Sequence, residues 1–127
     1  KKQLDIALEE FFHEVQVNSG IDIQFRKNEP TFTLTSEAEL SIFRGVQEAI
    51  TNAMRHGQAT RITVLLMYNP SQLVVTIKDN GTGAVDLAPK GGLKSLQERL
   101  RAEGGSVTLE ASNPGVTVQM ILPNTEK

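Results

Sequence analysis

Polar side chains follow one side of a predicted helix in the middle of the chain. Apolar residues at three- and four-residue steps predict this helix over residues 36–56. Glu48, Asn52 and Arg55 are spaced by four and then three residues along it, and His56 follows directly. By itself the pattern favours a solvated helix face, and a ligand-binding face is the alternative.

A glycine-rich loop comes directly after a predicted strand further along the chain. Its sequence is Asp79-Asn80-Gly81-Thr82-Gly83. A carboxylate accepts hydrogen bonds without donating them, so Asp79 can bind the exocyclic amine of adenine. Glycines permit positive φ and let the backbone pass close to a flat ring. An ordinary Asp/Asn-Gly turn remains the alternative interpretation.

A second glycine pair opens the next predicted helix, at Lys90-Gly91-Gly92-Leu93. Free backbone N–H groups at a helix start suit phosphate oxygens, and glycines leave the approach open. A flexible loop before an ordinary helix is the alternative. The chain contains no Gly-x-x-x-x-Gly-Lys-Ser/Thr run, which excludes a P-loop nucleotide site.

The composition limits the classes of function. The chain has 127 residues, of which 39% are hydrophobic and 22% charged, and this predicts a single soluble domain over residues 1–127. A net charge of −2 argues against broad electrostatic binding to nucleic acid or to a membrane surface. The absence of cysteine excludes disulfides and cysteine-based zinc sites, and it is compatible with a cytoplasmic location. Because the sequence starts at Lys1 within a helical pattern, we expect a fragment of a longer chain.

Hydrophobic patterning predicts the remaining elements. Helical spacing runs from Leu4 to Val15 and again from Leu93 to Leu100. The predicted order is α-β-β-α-β-β-loop-α-β-β, which implies an α+β two-layer sandwich with a mostly antiparallel sheet and helices on one face. The predicted strands cover residues 21–26, 32–34, 61–67, 72–78, 107–109 and 116–122.

The long central helix is expected to begin at an N-cap, Ser36, with acidic residues in its first turn. Its larger apolar side chains gather on one side of a helical wheel, and we expect that side to face the sheet. These side chains are Leu40, Phe43, Val46, Ile50 and Met54.

Taken together, the three motifs resemble those of one ATP-binding family. Glu48-x-x-x-Asn52-Ala53-x-Arg55-His56 resembles the N box of the histidine kinase and gyrase-type fold, and Asp79-x-Gly81-x-Gly83 resembles its first glycine box. Gly92-Leu93 with Leu96-Gln97-Glu98-Arg99-Leu100 resembles the second glycine box and next helix of the nitrate- and desaturase-sensor branch of histidine kinases. Gly115-x-x-Val118 with Leu122-Pro123 is similar to the family's last strand. The resemblance covers nearly the whole chain.

The resemblance implies the Bergerat (GHKL) ATP-binding fold, a left-handed βαβ sandwich with ATP between the N-box helix and a mobile lid at 84–91. It implies that Asn52 supplies its amide oxygen to Mg²⁺ and that Glu48 takes the other, catalytic position on the metal side. It implies that Asp79 binds adenine. The remaining implied nucleotide contacts are Arg55, His56, Gly81, Gly83, Lys90, Gly91, Gly92 and Leu93.

Three positions depart from the family's usual pattern. Lys90 replaces the first glycine of the second box, and it either contacts phosphate or lies in solvent as a lid residue, which we favour. Gln97 stands where many members have a basic residue. Val116 replaces a threonine whose hydroxyl often supports the adenine-binding carboxylate. We therefore expect a modest affinity for ATP.

The function implied by the resemblance is that of a protein-histidine kinase domain. It would donate the γ-phosphate of Mg-ATP to a histidine on the dimerisation and phosphotransfer domain of the same protein, which then serves a response regulator. The full-length protein is expected to be a homodimeric, membrane-bound sensor. An anti-sigma-factor-type serine kinase and a degenerate nucleotide-binding interaction module are the alternatives. Glu98-Arg99 and Gly104-Gly105 favour the sensor branch.

Overall fold

Three helices and five strands follow one another in a computed structural model, which describes residues 3–83 and 86–125. The helices are α1 (Leu4–Ser19), α2 (Ser36–Arg55) and α3 (Gly91–Ala102). The strands are β1 (Asp22–Lys27), β2 (Arg61–Tyr68), β3 (Gln72–Asp79), β4 (Ser106–Ala111) and β5 (Val116–Pro123). None of the three helices in these ranges is long and apolar enough to cross a bilayer.

The strands form one mixed sheet in the order β1-β2-β3-β5-β4. β1 pairs with β2 in parallel, whereas the other three neighbouring pairs are antiparallel. A parallel pair cannot be joined by a tight turn, so the chain crosses over between β1 and β2, and α2 makes this crossover. The expectation of an α+β fold with a mostly antiparallel sheet is confirmed.

One face of the sheet is covered and the other is open. Along β3, Leu73, Val75 and Ile77 are buried, while Val74 and Thr76 between them are half-buried. This two-residue period is expected when a single face packs against helices. The covered face forms the core together with the buried residues of α1, α2 and α3.

The ends of α1 and α2 are fixed by local hydrogen bonds. Gly20 ends α1 with φ 77°, and its N–H donates to Gln16 O at 2.9 Å. α2 begins after Thr35, whose Oγ1 accepts a hydrogen bond from Ala38 N at 3.1 Å. The prediction that Ser36 is the N-cap was wrong by one residue, because the extended backbone that a cap needs lies at Thr35.

The side of α2 that faces the core matches the predicted one only in part, since Val46 and Ile50 are buried as expected. Leu40 is 48% exposed, and Phe43 and Met54 are only partly buried. The wheel was centred on large side chains, whereas the buried stripe is rich in small residues that bring α2 close to its neighbours. A Cβ added at Gly45 would overlap a Leu96 methyl group in α3. The buried stripe consists of Ala38, Ile42, Gly45, Val46, Ala49, Ile50 and Ala53.

The predicted strand at residues 32–34 does not form, and residues 28–35 are irregular. Phe32 is buried and packs edge-on against Tyr68, with ring centroids 5.4 Å apart. Asn28 holds the start of this segment, since its Oδ1 accepts from Tyr68 N at 2.7 Å and its Nδ2 donates to Tyr68 O at 2.8 Å. The apolar residues at 32 and 34 therefore anchor a loop to the core.

Candidate functional site

A cleft of about 790 Å³ lies between α2, the end of β3 and the start of α3. Asn52 and Asp79 both line it, although they come from different elements. The two motifs that were separate in sequence therefore meet in one cavity. Eight residues of the predicted site line the cleft, namely Glu48, Asn52, His56, Asp79, Gly83, Lys90, Gly91 and Leu93.

Three predicted site residues lie outside this lining. Arg55 is exposed at the end of α2. Gly81 is buried where the loop after β3 meets the turn after α2, and a Cβ there would overlap Gly57 O. Gly92 lies against the side chain of Glu48. Gly81 thus allows the two turns to approach each other closely, and Gly92 leaves room for the Glu48 side chain.

Asp79 presents one carboxylate oxygen to the cleft. Its side chain is 8% exposed, and Oδ1 accepts hydrogen bonds from Gly81 N at 2.8 Å and Val116 N at 3.3 Å. In the described part of the chain no donor reaches Oδ2, and no buried side-chain oxygen lacks a partner, so Oδ2 is open to the cleft. Two backbone donors on Oδ1 fix the carboxylate and leave Oδ2 to accept a bond from a ligand.

The turn after α2 and the loop after β3 are joined by hydrogen bonds. Asn80 Oδ1 accepts from Thr60 N and Arg61 N, both at 2.9 Å, and Asn80 Nδ2 donates to Thr60 Oγ1 at 3.0 Å. Thr82 N donates to Gly57 O at 2.7 Å. These bonds fix the end of α2 relative to Asp79. Sequence analysis did not predict a role for Asn80, although an Asn at a turn is a recognisable capping signal.

Gly115 is a further residue that sequence analysis did not place in the site. It has φ 86°, and a Cβ at this position would overlap the backbone oxygen of Asp79 and crowd Oδ1. Only glycine combines this backbone conformation with this close approach. Gly115 thereby brings Val116 N to Asp79. The donor that reaches Asp79 from this strand is therefore a backbone N–H, which does not depend on the side chain at position 116.

Apolar residues line much of the remaining cleft. Val116, Val118 and Leu109 come from the β4–β5 hairpin, and Leu93 comes from the first turn of α3. Ala49 and Ala53 of α2 complete this apolar part. Such a surface suits the faces of a flat ring, and Asp79 lines the same cavity.

The start of α3 has no capping group of its own. Lys90 is the N-cap and makes no side-chain cap, and the first turn contains no acidic residue. The backbone hydrogen bonds of the helix begin with Leu93 N, which donates to Lys90 O at 3.1 Å. The N–H groups of Gly91 and Gly92 precede that bond, as expected for donors at a helix N-terminus.

The described part of the predicted lid carries an ion pair. Lys90 Nζ lies 3.0 Å from Asp86 Oδ2, and the Lys90 side chain is 71% exposed. The Ala88 N–H that donates to Asp86 lowers the pKa of this carboxyl, and Lys90 lowers it further. Lys90 thus borders the cleft, is mostly in solvent and is paired with an acid. Residues 84 and 85 of the predicted lid lie outside the described residues.

The charged side chains of the cleft are mainly acidic. In the ranges 3–83 and 86–125, its lining includes the acids Glu48, Asp79 and Asp86, against Lys90 and the imidazole of His56. These ranges contain no cluster of three or more His, Cys, Asp or Glu that could hold a metal ion. A polyanion in this cleft would therefore need counter-charge beyond that of the side chains.

A second cavity, which we call the α2–α3 groove, has a volume of about 730 Å³. It lies between α2 and α3 on the other side of Glu48. Leu40 and Arg44 line it from α2, and Ser95 and Arg99 line it from α3.

A family model described as histidine kinase-, DNA gyrase B- and HSP90-like ATPase matches residues 37–126. The chain belongs to this ATPase family. The match begins at the start of α2 and includes every predicted site residue. The predicted resemblance to this ATP-binding family is thereby confirmed.

Curated relatives of this ATPase domain are sensor histidine kinases. The oxygen sensor histidine kinase NreB of Staphylococcus carnosus (strain TM300) is 30% identical over 97% of this chain and 37% of its own. The sensor histidine kinase YxjM of Bacillus subtilis (strain 168) is 32% identical over 92% of this chain and 29% of its own. The chain spans about a third of the length of these relatives.

Solved structures of histidine kinase domains have the same fold as this ATPase domain. The nucleotide-free catalytic domain of histidine kinase ThkA superposes with a TM-score of 0.77 at 19% identity, covering 98% of this chain and 93% of that one. The ATP-binding domain of PrrB from Mycobacterium tuberculosis gives 0.68 at 22% identity, covering 91% and 88%. These matches confirm the predicted architecture.

Proposed function

We propose that this chain is the catalytic ATP-binding domain of a sensor histidine kinase, which binds Mg-ATP and donates its γ-phosphate to a histidine outside the described fold. The observation that carries the proposal is the single cleft joining Asn52 of α2 to Asp79 at the end of β3. Family membership supports ATP as the ligand, and the names of the curated relatives support a histidine kinase.

In this proposal Asp79 and the apolar part of the cleft bind adenine. The free Oδ2 accepts a hydrogen bond from the exocyclic amine, while Val116, Val118 and Leu109 contact the ring. Because the carboxylate is buried and already bonded through Oδ1, its orientation does not have to be fixed when the ligand binds.

Asn52 is the group that would hold Mg²⁺, with Glu48 beside it on the metal side. Both offer side-chain oxygens, which this ion prefers, and both line the cleft. Proteins commonly hold nucleotide-bound Mg²⁺ with one or two side chains together with phosphates and water, so the absence of a three-acid cluster among the described residues fits this mode. The bound ion would supply the positive charge that offsets the triphosphate in a mainly acidic cleft.

The rest of the proposed reaction depends on positioning. His56 and the N–H groups at the start of α3 bind phosphate oxygens, and Glu48 orients the groups at the metal side. The bond from the γ-phosphorus to the bridging oxygen breaks as the phosphorus–nitrogen bond to the acceptor histidine forms, leaving ADP. Phosphoryl transfer of this kind needs mainly alignment and charge neutralisation.

The acceptor and partners are part of the same proposal. The acceptor histidine lies on a dimerisation and phosphotransfer domain of the same, homodimeric protein, and a response regulator receives the phosphate from that domain. The reaction takes place in the cytoplasm. The support for these statements is that the curated relatives are sensor histidine kinases about three times as long as this chain.

The experiment uses this chain, Mg-ATP and the histidine-bearing domain of its full-length protein added in trans. The chain alone should bind nucleotide without phosphorylating itself, and the added domain should become phosphorylated. The product should be acid-labile, as phosphohistidine is; an acid-stable product would instead indicate a serine kinase.

Asn52→Ala removes the amide oxygen proposed to bind the metal. Transfer should fall to background, because alignment of the triphosphate depends on that ligand. The matched control is Asn18→Ala at the exposed end of α1, which should transfer at the rate of the unsubstituted chain. Normal transfer by Asn52→Ala would contradict the metal assignment, and absence of Mg-ATP binding by the unsubstituted chain would contradict the function.

A further inference from the structure

Glu48 lies between two cavities of the domain. Among the described residues it alone lines both the nucleotide cleft and the α2–α3 groove. Its carboxylate therefore has free volume on either side. A side chain in this position can change sides without a rearrangement of the core.

The Glu48 carboxylate lies against the first turn of α3. A Cβ added at Gly92 would be 3.2 Å from Glu48 Oε1, and one added at Gly91 would be 4.0 Å from Oε2. No acidic residue of α3 lies in its own first turn, and Lys90 provides no cap. Since helix N-termini favour negative charge, Glu48 supplies from α2 the charge that α3 lacks.

The same helix start is where the phosphates of the proposed nucleotide would bind. A second, independent feature marks this cleft as a ligand site, namely the buried Asp79 with its free Oδ2 directed into it. Two anionic groups at one helix N-terminus repel each other. The carboxylate and an incoming phosphate thus compete for one position.

We propose that Glu48 is a specificity-determining residue that selects metal-bound over metal-free nucleotide. Its carboxylate occupies the start of α3 in the nucleotide-free protein, and a metal-free triphosphate has to displace it toward the α2–α3 groove. The carboxylate repels a metal-free triphosphate. When the triphosphate carries Mg²⁺, the ion attracts the carboxylate and offsets this repulsion. The inference rests on the proposed function.

The test is the isosteric variant Glu48→Gln, studied by calorimetric titration. Without divalent metal, the variant should bind a non-hydrolysable ATP analogue and inorganic tripolyphosphate about fivefold more tightly than the unsubstituted chain, because the competing charge is gone. Adenosine, which has no phosphate, should bind both proteins equally. The matched control is Glu98→Gln, which removes the same charge from the exposed surface of α3 away from its start.

Equal affinities of Glu48→Gln and the unsubstituted chain for the metal-free analogue would overturn the inference, as would an equal gain in Glu98→Gln. If no protein binds adenosine or nucleotide, the proposed function fails and the nucleotide selectivity fails with it. Hydrogen exchange measured without ligand then tests the contact between the Glu48 carboxylate and the first turn of α3. Amides in the first turn of α3 should exchange faster in Glu48→Gln than in Glu98→Gln, and equal rates would exclude the contact.

Discussion

At the scale of single residues, the site depends on which atoms of Asp79 are already engaged. The hydrogen bonds from Gly81 N and Val116 N both end on Oδ1, so the carboxylate offers the cleft one remaining acceptor oxygen, Oδ2. An acceptor there distinguishes an amine from a carbonyl at the edge of a purine. In the proposed function, base selectivity therefore depends on this one oxygen.

Asp79→Asn should reverse this selectivity. The amide oxygen of the variant would keep the bonds from Gly81 N and Val116 N, because the alternative rotamer would place NH₂ against two donors. The NH₂ group then faces the cleft and opposes the amine of adenine. We expect ATP to bind about tenfold to a hundredfold more weakly, while inosine triphosphate, which has a carbonyl there, loses less or gains.

Titration of both nucleotides against both proteins measures this change in preference. Glu14→Gln on the exposed surface of α1 removes one charge elsewhere and should change neither affinity. If Asp79→Asn lost the same affinity for both nucleotides, Asp79 would support the fold of the cleft without contacting the base.

At the scale of elements, the cleft exists because two turns are held together. The turn after α2 and the loop after β3 meet through Asn80, Gly81 and Thr82, as described above. The β2–β3 turn at the other end of the hairpin has a similar device, since Asn69 Oδ1 accepts from Ser71 N at 2.8 Å and Gln72 N at 2.9 Å. Asn80 is next to the cleft, whereas Asn69 is remote from it.

This pair allows a controlled test of positioning by Asn80. Asn80→Ala and Asn69→Ala should each lower the free energy of unfolding by about 1–2 kcal/mol, because each leaves two backbone N–H groups without their side-chain acceptor. Only Asn80→Ala should also weaken nucleotide binding. Asn80→Asp keeps the acceptor oxygen and should restore most of the affinity.

Thermal unfolding and nucleotide titration of the three variants separate stability from binding. If Asn69→Ala weakened nucleotide binding as much as Asn80→Ala, the effect would be one of general stability. A purely local role for Asn80 predicts that the two variants differ in affinity and agree in stability.

Much of this arrangement was predictable from sequence, and the rest depends on packing. The strands β2 and β3 carry strong local signals, so their bounds were predicted within one residue. The buried stripe of α2 was missed because Gly45 and its alanine neighbours have little hydrophobic weight, and their burial depends on what packs against them. The role of Gly115 was missed because Asp79, which it contacts, is distant in sequence.

At the scale of the whole molecule, α1 is attached to the sheet partly by charge. Lys27 at the end of β1 forms ion pairs with Asp5 and, at 3.2 Å, with Glu9 of α1. The hydrogen bond between the two side chains lowers the pKa of the Asp5 carboxyl and raises the pKa of the Lys27 ammonium group. Both groups are charged at neutral pH, so their ion pair contributes to the stability of the fold at that pH.

The sign of the pH dependence follows from the direction of the Asp5 shift. A carboxyl whose pKa is lower in the folded than in the unfolded chain stabilises the fold above its ordinary value of 3.8, and this contribution is lost as the pH falls through the folded pKa. Asp5→Asn should therefore lower the free energy of unfolding at pH 7 and have little effect at the lowest pH at which the protein folds. Urea titrations across that range test this, and an effect that does not depend on pH would exclude the ion pair as its cause.

The cleft is assembled from segments that meet only when the sheet is complete. α2 is also the crossover that joins the parallel strands β1 and β2, and Asp79 comes from the strand after them. A ligand that holds both sides of the cleft therefore has no partial site in the unfolded chain, and its binding energy adds to the folding equilibrium in full. At a ligand concentration a hundred times the Kd this linkage amounts to about 2.7 kcal/mol. Resistance to heat and to proteases should then report on cleft occupancy without any measurement of phosphate transfer.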